Sequence, residues 1–150
     1  MTLFDALVRG GQLRPLDVEL AATLRRLDPD TPGLVLAGAA LASLAVGSGD
    51  AAFDPARPRL PQDAGMAWPA ASEWQAAFAA SRWVAHPSAG DASAQAPLVF
   101  DQGLLYLRRY REYEHRLAEA LRTMAARAPA NAGDEGLHAL FDALFPDAGA

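Results

Sequence analysis

The chain has 150 residues, is 51% hydrophobic and carries a formal charge of −5, which suits one domain around one sizeable core and argues against the overall basic field of a stand-alone DNA-binding domain. Cysteine is absent and all thirteen basic residues are arginine, which excludes disulfides, thiol nucleophiles, Cys-type zinc sites, a P-loop ammonium and a lysine general base or Schiff base. No apolar run reaches the ~18 residues of a membrane span, and the opening MTLFDALVRGG has no basic n-region of a signal peptide, so the expected location is cytoplasmic.

In chain order, Thr2 and Asp5 stand in a capping relationship and Gly10-Gly11 supplies a stop, which predicts a short first helix. Pro15 opens a second, with Asp17 and Glu19 near its start and Arg25 and Arg26 at its end, matching the helix dipole; its apolar stripe is read as Leu20, Leu24 and Leu27. Between Thr31, read as N-cap ahead of Pro32, and the stop at Gly47, nearly every residue is apolar or small, so this helix is expected to be central and buried all round. From Ser48 to Pro69 the Pro, Gly and Asp density predicts an irregular loop.

Helix returns over AASEWQAAFAASRW, ending near Trp83, and a small-residue loop follows from Ala85 to Ala96. The pattern PLVF-DQG-LLYL then predicts a β-hairpin at about residues 97–107, two short apolar runs around a three-residue connection with Gly103 free to turn left-handed. A helix from Arg108 to Ala128 follows at once, and DEGLHALFDALFP predicts a closing helix ended by Pro146. The fold class is therefore mainly α, a compact helical domain of about six helices with one small β-hairpin, forming a single domain over 1–150.

On a wheel of about 100° per residue, Tyr110, Tyr113, Leu117, Leu121 and Met124 share one narrow stripe of the helix after the hairpin, opposite Arg108, Arg111, His115, Glu119 and Arg122. The stripe is expected to face the core. Glu112 lies four residues from both Arg108 and Arg116, so local charge pairing is expected on the outer face. That face reads as a solvated surface, a partner contact or a phosphate contact, and charge runs alone do not choose among them.

Other chemistry-bearing patterns are weighed the same way. Glu112-x-x-His115 and Glu135-x-x-His138, with Glu19 and Glu73, have the ligand spacing of a di-iron carboxylate bundle, but their faces oppose or flank the apolar seams, so no metal site is expected. His86 stands before Pro87 without a triad partner, and no catalytic residue is expected. Trp68, Trp74 and Trp83 could stack on bases but are read as core or rim anchors. A helix-turn-helix is discounted, because the third helix carries no polar reading residues.

Several stretches occur together in one known order: LRPLDVELA at 13–21, LVLAGAALAS at 34–43, PLVFDQGLLYLRRYREYEHRLAEAL at 97–121 and LFP at 144–146. In that order and spacing the chain resembles the N-terminal domain family of RecD, the alpha subunit of the exodeoxyribonuclease V complex, RecBCD. The segment GSGDAAFDPARPRLPQ departs from that family's usual strand-like run, so a rearranged loop is expected there. The Walker A loop that follows this domain in the family is not in the sequence, so the chain is expected to be an isolated N-terminal domain without the motor domains.

The resemblance implies a parent that is an ATP- and Mg-dependent 5′-to-3′ DNA helicase acting with RecB and RecC on double-strand break ends. It also implies that this domain is a non-enzymatic docking piece that holds the motor to RecC, with no cofactor of its own and no membrane contact. The alternative is an auxiliary DNA-binding element. Arg82, Arg108, Arg109 and Arg111 are the candidate partner or DNA contacts on either reading.

Overall fold

A computed structural model describes residues 2–59, 67–87, 95–127, 140 and 143–144. The chain divides into two units, residues 1–115 and 116–150. Among the described residues the first unit holds four whole helices, three strands and the start of a fifth helix.

Helix α1 (Leu3–Arg9) begins with the expected capping box: Thr2 Oγ1 accepts the Asp5 N–H at 3.2 Å and the Asp5 carboxylate accepts the Thr2 N–H at 3.0 Å. This satisfies end donors that would otherwise need water. Helix α2 (Pro15–Leu27) starts at its proline, as expected. Its buried face is Asp17, Ala21 and Leu24, whereas Leu27 is exposed. Of the expected stripe, Leu24 is buried and Leu20 packs against the core, but Leu27 does not, and a buried ionic contact at Asp17 extends the inner face toward the helix start instead.

Asp17 is fully buried, and one charged group, Arg14, grips it closely. Arg14 donates through Nε (3.0 Å) and Nη2 (2.7 Å) to the two carboxylate oxygens, and its backbone N–H donates to the same group at 2.9 Å. Nη2 also donates to the Ser43 carbonyl at 2.7 Å, tying the start of α2 to the next helix. A Cβ on Gly47 would lie 1.5 Å from Arg14 Nη1. The glycine read as a stop signal thus also makes room for this guanidinium.

Helix α3 (Gly33–Gly47) is the centre of the first unit, with Val35 to Ser43 buried without interruption. Its first helical residue is Gly33 and Pro32 takes the N-cap position, not the expected start at Pro32 with Thr31 as cap. The Thr31 hydroxyl is otherwise engaged: it donates to Asp28 O at 2.7 Å and accepts Trp83 Nε1–H at 2.9 Å. Gly38 permits close packing, since a Cβ there would come within 2.8 Å of Phe78 and 3.0 Å of Leu105.

Helix α4 (Ala71–Ala79) is shorter than expected. The chain leaves helix after Ala79 and forms β1 (Val84–Ala85), a strand not foreseen from the sequence, because two small or branched residues carry too little alternation to signal one. β1 pairs parallel with β2 (Leu98–Asp101), which pairs antiparallel with β3 (Leu104–Leu107) in the order β1-β2-β3. The sheet therefore has three strands, not a hairpin alone.

The hairpin itself stands, with a shorter turn. Asp101 pairs with Leu104, and Gln102 and Gly103 both have positive φ, 50° and 83°. A two-residue connection of that kind matches the twist of the flanking strands. The loop after α3 contributes one isolated bridge, with Phe53 and Leu105 exchanging two 2.9 Å backbone hydrogen bonds. Among the described residues of this loop there is no full strand, in keeping with the expected rearranged loop.

Aromatic side chains fill the space between this loop, α4 and the sheet. Phe53, Trp68, Trp74, Phe78 and Phe100 form a chain of ring contacts with centroids 5.1–6.2 Å apart. Trp74 and Phe78 are fully buried, and Trp68 and Trp83 pack against the core from its edge. The tryptophans act as core and rim anchors, as expected.

Helix α5 (Arg108–Ala126) follows β3 without a linker residue and continues from the first unit into the second. The closing helix expected over DEGLHALFDALFP lies mostly outside the described residues; within it, Leu140, Ala143 and Leu144 are helical. Among the described residues no helix is long and apolar enough to cross a membrane.

Candidate docking surface

The four arginines singled out from the sequence are all engaged within the chain. Arg82 pairs with Asp28 at 3.2 Å and lies over the Trp83 ring, 4.5 Å from its centroid. Arg108 Nε donates to the Ala96 carbonyl, and its backbone N–H donates to Pro97 O at 2.8 Å. Arg111 grips Asp101 through Nε at 3.0 Å and Nη2 at 2.6 Å, and both side chains are largely buried. Arg109 donates to the Tyr113 hydroxyl at 2.8 Å, and this bond raises its pKa above the ordinary guanidinium value.

Arg108 and Arg111 were expected on the wet face of α5 and the tyrosine–leucine stripe in the core. Arg108 and Arg111 turn inward at the start of the helix, while the stripe and the rest of the charged face, His115, Glu119 and Arg122, are exposed. No residue of α5 is buried, and Tyr110, Tyr113, Leu117, Leu121 and Met124 are exposed, with Leu117 at 59%, Leu121 at 55% and Met124 at 64%. The physical reason is the join to the hairpin. Because Arg108 follows Leu107 directly, the strand sets the phase of the helix, and that phase points Arg108 at Ala96 and Arg111 at Asp101.

The outer charge pairing expected of Glu112 is absent toward Arg116: no ion pair joins them among the described residues. Glu112 and His115 are exposed, and among the described residues no group of three or more His, Asp or Glu could hold a metal ion. Glu135 and His138 lie outside the described residues. His86 is half-buried, with its ring edge-on to Phe100 and Nε2 3.4 Å from the Phe78 carbonyl, a packing position.

A cavity of about 580 Å³ opens at the C-terminal end of α3, with Leu41, Leu44 and Phe53 on its apolar floor and the Asp50–Arg59 ion pair (3.0 Å) at its rim. Its volume is that of an ordinary small-ligand pocket. Its charged groups are ion-paired with one another, and Gln12 and Ser48 bond to nearby backbone carbonyls.

The feature of the described surface that departs most from a self-sufficient fold is therefore the α5 seam. Its five large apolar side chains lie in one stripe on one helix, and water is a costly neighbour for such a strip. Sequence reasoning found the residues but assigned them to the core. The signal that could have placed them was Asp101, ten residues before Arg111 and at the end of the predicted strand, where a hairpin brings the two together.

The family model described as RecBCD enzyme subunit RecD, N-terminal domain, matches residues 9–106, about two thirds of the chain. The match takes in α2, α3, α4 and nearly all of the sheet, and ends just before α5. No curated protein matches the chain.

Proposed function

The chain belongs to the family of RecD N-terminal domains of the RecBCD enzyme, and from that premise we propose that it is a cytoplasmic docking module that fixes the RecD helicase subunit to its partners, with RecC as the immediate contact. On this reading the parent is the alpha subunit of exodeoxyribonuclease V, and ATP, Mg and the helicase activity on DNA ends belong to its motor domains. The present domain contributes assembly, not catalysis.

The observation that carries the reading is the exposed apolar stripe of α5 on a chain of this family. A surface that anchors a subunit must withdraw apolar area from water when the partner arrives. The alternative, an auxiliary DNA-binding element, calls for guanidinium groups open to phosphate. Arg108 and Arg111 are instead turned onto Ala96 and Asp101, and Arg82 and Arg109, though exposed, are engaged by Asp28 and Tyr113.

The test is direct binding of the purified chain to RecC of the same organism, by titration calorimetry. Saturable one-to-one binding is expected, with a negative heat-capacity change from apolar burial. Absence of binding to RecC, together with salt-sensitive binding to DNA ends, would replace the docking reading by the DNA reading.

A further inference from the structure

We draw no further inference here: the strongest candidate, the cavity at the C-terminal end of α3, has a rim on which Asp50 and Asp54 pair with Arg59 and Arg57, so its charge selects neither an anion nor a cation, and nothing in the structure shows what covers its apolar floor.

Discussion

The two longest helices among the described residues make opposite use of apolar residues. α3 has them on every side and is buried from Val35 to Ser43, while α5 confines them to one stripe and leaves that stripe exposed. Amphipathicity alone would have ranked α5 as the helix whose apolar face lines a core. The contrast shows that a periodic stripe states that a helix has an apolar face, not whether the same chain covers it. α3 had no such freedom, because a helix apolar all round can only be surrounded.

The contrast can be broken first at its buried side. Trp74→Ala, on α4 against α3 and the aromatic chain, should destabilise the first unit by ~3–5 kcal/mol in urea denaturation, as large core truncations do. A loss below about 1 kcal/mol would mean that the aromatic chain is not the structural centre.

Asp17→Asn tests the ionic contact that extends the inner face of α2 toward the helix start. Burial pushes the Asp17 carboxyl up, but hydrogen bonds from Arg14 and Ser43 and the charge of Arg14 outweigh this and hold it below the ordinary carboxylate value. A carboxylate whose folded pKa is depressed stabilises the fold fully above its unfolded value of about 3.9, and that contribution is lost as pH falls through the lower folded value. The variant should therefore be less stable than the parent at pH 7, by about 1–3 kcal/mol, and the gap should close below about pH 4. Equal stability at pH 7 would show that the contact contributes nothing.

Arg111→Ala sharpens the phase of α5. With its two bonds to Asp101 removed from a largely buried position, a loss of about 1 kcal/mol is expected in thermal denaturation. The smallest effects should fall on the seam itself. Leu117→Ala and Leu121→Ala should each stay within about 0.5 kcal/mol of the parent, as exposed substitutions usually do. A loss of several kcal/mol at either leucine, with none at Arg111, would return the stripe to a core and restore the opposite face assignment.

Much of the fold was legible where local chemistry acts alone. The Thr2–Asp5 box, Pro15 at the start of α2, the all-apolar run of α3 and the Gly103 turn each specify a conformation through neighbours a few residues away. β1 was not legible, since a two-residue parallel strand owes its existence to β2, fourteen residues further on. The early end of α4 and the shifted cap of α3 likewise depend on distant partners, Trp83 for Thr31 above all. Of the candidate site, the residues of α5 were legible and their direction was not.

The sequence by itself determined that this chain is mainly helical, that α3 lies at the centre and that α5 has one apolar and one charged face, because propensity, capping and hydrophobic period are carried by residues close together in the chain. The tertiary structure decided which way the first turn of α5 faces. The hairpin runs directly into α5, and two contacts, Arg108 with Ala96 and Arg111 with Asp101, hold the first turn of the helix against residues ten or more positions earlier in the chain. Helical periodicity repeats every turn and contains no reference direction, so only a contact from outside the helix can supply one.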